Sequence, residues 1–128
     1  MTQTILIVDD DPTQRRLMQA VIERNGYQTQ QAASADEMFR ALEGPRGPDI
    51  GLVMLDLVMP GEDGISALKR LRPSRPELPV IVLTAQGGIE TVVSAMRAGA
   101  DDFLVKPASP ERILVSIRNA LKVKALTG

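Results

Sequence analysis

Ile5-Leu6-Ile7-Val8-Asp9-Asp10-Asp11-Pro12, close to the start of the chain, is the stretch from which the rest is read. Four unbroken apolar residues, three of them β-branched, are what a strand buried on both faces of a parallel sheet requires. The run stops abruptly at acids. Asp11-Pro12 then reads as a helix cap followed by proline at the first helical position, where the missing N–H costs nothing. Beyond it, Leu17 with Val21 and Met18 with Ile22 fall at i, i+4 spacing and predict a helix with a core face, ended by Gly26.

The alternation of strand and helix continues to the end of the chain. Tyr27 to Ala32, rich in Gln and Thr, is the weakest strand and is predicted at a sheet edge. Ser34-Ala35-Asp36-Glu37 is a capping box, and Met38, Phe39 and Leu42 form the apolar face of the helix it opens. Gly44 to Pro48 is a loop. Leu52-Val53-Met54-Leu55 is the third strand and stops at Asp56; Pro60 to Gly64 is a turn, and Ile65 to Leu71 a third helix. After the Pro73–Pro79 loop, Val80-Ile81-Val82-Leu83 is a fourth strand ending at Thr84. Ile89, Val92, Val93 and Met96 make the cleanest helical stripe in the chain. Phe103-Leu104-Val105 is the fifth strand, ending at Lys106-Pro107, and Ser109-Pro110 opens a last helix with Ile113, Ile117 and Leu121 on one side. Five strands alternating with five helices is the pattern of an α/β domain with a parallel sheet.

Composition limits the chemistry. At 128 residues the chain is one domain, long enough to bury a core without staples. It has no Cys, which excludes disulfides, thiol nucleophiles and thiolate metal sites, and no His, which excludes a Ser-His-Asp triad, His-ligated metals and a phosphohistidine acceptor. Tyr27, Phe39 and Phe103 are too few aromatics for base stacking, and a net charge of −1 argues against a dedicated nucleic-acid or membrane-surface binder. No apolar run approaches the ~20 residues of a membrane span, and Met1 to Ile5 does not resemble an export signal. A cytoplasmic domain is expected. What remains for chemistry is carboxylates, hydroxyls, lysines, backbone groups and a hard, oxygen-loving cation.

Parallel α/β sheets place their ligand sites beyond the carboxyl ends of the strands. Asp9, Asp10 and Asp11 follow the first strand, Asp56 the third, Thr84 the fourth and Lys106 the fifth. Carboxylates ending neighbouring strands about 4.8 Å apart repel one another unless a cation intervenes. Without His or Cys the fitting cation is Mg²⁺ (or Mn²⁺), held by oxygen. A carboxylate beside such an ion can accept a phosphoryl group, and Asp56 is the candidate nucleophile, with Lys106 and Thr84 facing the phosphoryl oxygens. Asp11 is read as the helix cap.

These motifs resemble the receiver domain of two-component response regulators. The resemblance runs from Ile5 to about Leu121 and rests on Ile-Leu-Ile-Val-Asp9-Asp10-Asp11, Met54-Leu55-Asp56-Leu57-Val58-Met59-Pro60-Gly61-Glu62-Asp63-Gly64, Leu83-Thr84-Ala85 and Gly99-Ala100-Asp101-Asp102-Phe103-Leu104-Val105-Lys106-Pro107. It implies a doubly wound, flavodoxin-like sheet of strand order 2-1-3-4-5, an arrangement for which a chemotaxis receiver is a standard illustration. It further implies Asp56 as phosphoacceptor and Asp10 as a direct metal ligand. Asp9 would hold a metal-bound water or a second position, and the Val58 carbonyl would complete the protein ligands. Lys106 would pair with the phosphoryl group through a cis Lys106–Pro107 bond, and Thr84 and Phe103 would form a switch pair. Val58 and Gln86 occupy the two positions expected to tune the lifetime of the acyl phosphate.

Such a domain catalyses its own phosphorylation and autodephosphorylation without being a conventional metabolic enzyme. Its implied partners are a sensor histidine kinase or phosphotransfer protein and a second copy of itself, docking through the face of the fourth helix, fifth strand and fifth helix. Residues 86–100 are similar to receivers of sigma-54-dependent activators, so a transcription-activating output domain is expected. A stand-alone receiver serving as phosphorelay shuttle or motility adaptor is the alternative. A small aspartyl-phosphate hydrolase is a third reading, weakened because Val58 stands where it wants a second acid. Residues 1–121 are taken as the receiver, and 122–128 as a helical extension or the start of a linker, with Val123 and Leu126 lacking an obvious core.

Overall fold

The computed structural model describes residues 3–127, and side chains as far as residue 122. The chain runs β1 (Thr4–Val8), α1 (Pro12–Arg24), β2 (Gln28–Ala32), α2 (Ala35–Glu43), a short 3₁₀ turn (Gly47–Asp49), β3 (Ile50–Asp56), α3 (Gly64–Leu71), β4 (Val80–Thr84), α4 (Ile89–Ala98), β5 (Asp102–Val105) and α5 (Pro110–Thr127). All strand pairs are parallel, in the order β2-β1-β3-β4-β5. The expected architecture and strand order are therefore observed. Among the described residues, no helix is long and apolar enough to cross a membrane.

Side chains alternate across a sheet, so the unbroken apolar strands fill two cores at once. Leu6, Val8, Val53, Leu55, Val80 and Val82 point to one layer, where Met38, Leu68, Leu71 and Ala95 meet them. Ile5, Ile7, Leu52, Met54, Ile81 and Leu83 point to the other, covered by Ile22, Ile113 and Ile117. The glutamine-rich β2 lies at the edge, as its composition predicts, since only an edge strand can leave such side chains in water.

Caps end the helices where the sequence announces them. Asp11 accepts a hydrogen bond from Thr13 N, and Ser34 one from Glu37 N, while Glu37 reaches back to Ala33 N. Asp63 caps α3 through Ser66 N, so the Pro60–Gly64 stretch is a turn that also starts a helix.

Two apolar faces depart from expectation. On α1 only Ile22 is fully buried, while Leu17 is 58% exposed. On α4 the stripe is helical, but Ile89, Val93 and Met96 face outward, and Ala95 and Ala98 pack on the protein. Periodicity identifies a helix; which of its sides meets the sheet depends on neighbours distant in sequence. Val123 and Leu126 lie outside the described side chains.

Candidate functional site

The strand register brings the acids together. Val8 is level with Leu55, so Asp9 and Asp56, one residue further along each strand, end side by side. The hydrogen-bond ladder runs a rung past the strands: Asp9 N donates to Ala32 O, Leu57 N to Leu83 O and Lys106 N to Thr84 O. Asp9 and Lys106 are thus fixed at their own backbones, and Asp56 by its pairing with Leu83 and the N–H that follows it. Lys106 leaves β5 and must reach over β4 to β3, roughly two strand spacings or ~10 Å, which suits a long stem. Its Nζ donates to Asp9 Oδ2 at 2.9 Å and to Asp56 Oδ2 at 3.1 Å. The Lys106–Pro107 peptide is cis.

Asp9, Asp10, Asp11, Gln14, Asp56, Val58, Ala85, Gln86 and Lys106 line an open cavity of about 370 Å³ at this edge. Asp9 and Asp56 are buried, whereas Asp10 is exposed. Asp9 spends its second oxygen on Asp11 N at 2.9 Å, and Asp56 Oδ1 accepts Val58 N at 3.1 Å. Burial pushes the Asp56 carboxyl above its ordinary range, against the Val58 N–H and the Lys106 charge, and the neighbouring Asp9 adds to the rise. For Lys106, burial works downward, but the hydrogen bond to Asp9 and the charges of Asp56 and Asp9 outweigh it, so its pKa rises and it stays protonated. One ammonium therefore serves two buried carboxylates and leaves Asp56 short of positive charge.

A further cation fits that deficit. Asp9, Asp10 and Asp56 each offer a carboxylate oxygen, all within 4.8 Å of one another. A donor set made only of carboxylate oxygen suits a hard ion such as Mg²⁺ or Mn²⁺.

Thr84 and Phe103 lie apart from this cavity. Thr84 is wholly buried, and its Oγ1 accepts Gln86 N at 3.1 Å beneath the β4–α4 turn. Phe103 is half-buried against the larger of the two core clusters. The turn is in close contact with β5, since a Cβ at Gly87 would lie 2.7 Å from Val105 Cγ2.

Two contributors were not visible in the sequence. Gly64, read as a turn residue, starts α3 directly against the phosphoacceptor candidate: a Cβ there would stand 2.5 Å from Asp56 O and 2.7 Å from Leu57 Cα. Arg15 sits on the polar side of α1 and donates through Nη1 to Asp9 O at 2.6 Å. A glycine after a turn hints at close approach; nothing in the local sequence distinguishes Arg15 from Arg16.

A family model described as the response regulator receiver domain matches residues 5–118. The chain is 37% identical over 119 residues to the transcriptional regulatory protein ResD of Bacillus subtilis, covering 92% of this chain and 48% of that protein. It is 35% identical over 123 residues to the C4-dicarboxylate transport transcriptional regulatory protein DctD of Rhizobium meliloti, covering 96% of this chain and 26% of that one. The chain thus spans about half or less of the curated relatives it matches. A CheY-like receiver domain protein from Methanospirillum hungatei superimposes with a TM-score of 0.92 at 29% identity, over 100% of both chains.

Proposed function

The chain belongs to the response regulator receiver domain family, and from that premise we propose that Asp56 takes a phosphoryl group from a phosphohistidine on a sensor histidine kinase or phosphotransfer protein. The observation that carries this is a buried carboxylate, deficient in positive charge, lining an open cavity beside Lys106 and two further acids. An oxygen of Asp56 attacks phosphorus, the nitrogen–phosphorus bond breaks, and the imidazole leaves with the electron pair. The product is an acyl phosphate. The 128 residues contain no histidine, so the donor lies outside them.

Asp10, Asp56 and the Val58 carbonyl would hold Mg²⁺ or Mn²⁺. Asp9, with both oxygens already engaged, would hold a metal-bound water or a second position. The ion's contribution is to offset the negative charge of the incoming phosphoryl oxygens. Lys106 supplies the second positive charge and is held ready by Asp9.

The groove beside the cavity supports docking of the donor protein. Gln14, Leu17, Met18 and Val21 of α1 face Pro107, Ala108 and Ile113 across about 300 Å³ of mostly apolar space. The exposed Leu17 thereby gains a role that the core does not give it.

The switch is assigned to Thr84 and Phe103. When the Thr84 hydroxyl turns toward phosphoryl oxygens it gives up Gln86 N, and the β4–α4 turn carrying Gly87 against Val105 must shift with it. Val105, Ile89, Val93 and Met96 are all exposed, so the shift reaches an apolar face suited to a second copy of the chain. The domain is placed in the cytoplasm with its donor. It is assigned to a longer regulator with a transcription-activating output, because curated relatives roughly two to four times its length are transcriptional regulators. The likeness of residues 86–100 to sigma-54-dependent activators favours that class.

Incubation with acetyl phosphate and Mg²⁺ tests the proposal. The chain should gain the mass of one phosphoryl group, and chelation of the metal should prevent it; an unchanged mass would rule the assignment out. Val58 bears on the lifetime of the product. At 57% exposed it lines the cavity but cannot orient an attacking water. Val58→Asn should speed loss of the phosphoryl group about ten-fold, the worth of one hydrogen bond of about 1.4 kcal/mol in the transition state. Decay followed by mass spectrometry checks it, with an unchanged rate as the contrary result.

A further inference from the structure

We infer that Arg15 is a positioning residue for the acidic corner, holding the peptide between Asp9 and Asp10 so that both carboxylates are presented to the cation together; this rests on the phosphoacceptor assignment above. The Asp9 carbonyl lies past the end of the sheet. Its own N–H still donates to Ala32 O, but β2 ends there and no strand offers the carbonyl a partner. A backbone carbonyl in that position needs a donor. Arg15 Nη1 supplies it at 2.6 Å.

The guanidinium is itself held. Its Nε donates to Gln31 Oε1 at 3.2 Å, Gln31 Nε2 to Gln19 Oε1 at 2.7 Å, and Gln19 Nε2 to Glu23 Oε2 at 3.2 Å. Thr29 Oγ1 closes the chain on the same Glu23 oxygen at 2.6 Å. The polar side chains of β2 therefore form a seam with α1 whose far end is the Asp9 carbonyl. Because that carbonyl belongs to the peptide joining Asp9 to Asp10, its orientation sets the relative directions of the two side chains. A flat guanidinium can satisfy two acceptors in one plane, which an ammonium cannot.

Charge and positioning make opposite demands. If Arg15 acted only as a positive charge near three acids, removing it would tighten the binding of a divalent cation. If it positions the peptide, removing it weakens binding despite the lost repulsion. Groups that orient metal ligands from behind typically matter by about 10- to 100-fold in affinity.

Calorimetric titration with Mg²⁺ alone, on the unphosphorylated full chain, separates these, with the melting temperature of the metal-free protein measured in parallel. Arg15→Ala should raise the Mg²⁺ dissociation constant about ten-fold. Arg15→Lys, which keeps the repulsion but cannot serve Asp9 O and Gln31 Oε1 together, should not restore wild-type affinity, and Gln31→Ala should weaken binding two- to three-fold on the same scale. An unchanged or tighter constant in folded Arg15→Ala overturns the inference, as does a lower melting temperature with no change in affinity. Should Arg15→Ala fail to fold, Arg15→Lys and Gln31→Ala decide: wild-type affinity in both refutes positioning. A wild-type chain that binds no Mg²⁺ and takes no phosphoryl group refutes the functional assignment and this inference with it. Normal wild-type behaviour with indifferent variants refutes this inference alone.

Discussion

Asp56→Asn is expected to abolish phosphoryl incorporation and, in the absence of metal, to make the protein more stable. The first effect follows from removing the nucleophile: an amide oxygen at this position cannot form an acyl phosphate, and incorporation from acetyl phosphate should fall at least about a thousand-fold. The second follows from the raised pKa. Burial makes the Asp56 anion less favourable in the folded chain than in the unfolded one. A group whose folded pKa is raised favours the fold most when protonated, and that advantage is lost as pH rises through the folded value. The metal-free wild type therefore carries this penalty when Asp56 is ionised and sheds it on acidification. Asparagine has no such penalty, while Lys106 keeps Asp9 as a partner at 2.9 Å. The variant should melt higher at neutral pH, with the gap closing as pH falls toward the ordinary carboxylate range. Thermal denaturation across pH, with and without Mg²⁺, checks this. A variant less stable at neutral pH would show that the carboxylate is not strained as described, and phosphorylation surviving in it would place the nucleophile elsewhere.

The largest loss of stability is expected at the opposite end of the sheet. Arg72, at the end of α3, gathers backbone carbonyls that no helix or strand satisfies. Its Nε and Nη2 donate to Gly99 O at 3.0 and 2.5 Å, and its Nη1 to Leu78 O at 2.6 Å and Arg75 O at 3.0 Å. Nη2 also pairs with Asp101 at 3.0 Å, and the same Asp101 oxygen accepts Val80 N at 2.8 Å. One side chain thus joins the end of α3, the entry to β4 and the end of α4. Hydrogen bonds from a charged donor contribute about 1.5–3 kcal/mol each and do not add, so Arg72→Ala should cost about 3 kcal/mol and roughly 10 °C of melting temperature. Arg72→Lys should restore little, because an ammonium cannot fork to acceptors on both sides. Arg70, two residues earlier, is the control. It pairs with Glu62 at 2.6 Å and lies over Phe39, yet its side chain is half exposed, and such surface pairs contribute little. If Arg70→Ala and Arg72→Ala proved equally damaging, the carbonyl network would not be what holds these elements.

Some of these features are local to the sequence and others are not. Ile5 to Val8 and Val80 to Leu83 are continuous apolar runs, and a strand that must be apolar on both faces admits little else than a covered parallel sheet. Asp9, Asp56 and Lys106 follow such runs, so their gathering at one edge was legible from position alone. Thr84 also follows its run, but it is wholly buried, its hydroxyl accepts Gln86 N in the β4–α4 turn, and it does not line the cavity. Side-chain direction at a strand end depends on the turn that follows, and that turn is shaped by β5.

The order of hydrophobic and polar residues along the chain was enough to decide the elements, their parallel pairing and which residues end each strand, because periodicity and chain breaks are local properties. Folding alone decided which side of α1 and α4 meets the sheet, that one lysine bridges two carboxylates, and that Arg15 and Arg72 reach backbone carbonyls left over at opposite ends of the sheet. Those outcomes depend on contacts between residues up to 97 positions apart, as for Lys106 and Asp9. Hydrogen-bond geometry and burial over such separations exist only once the layers have packed.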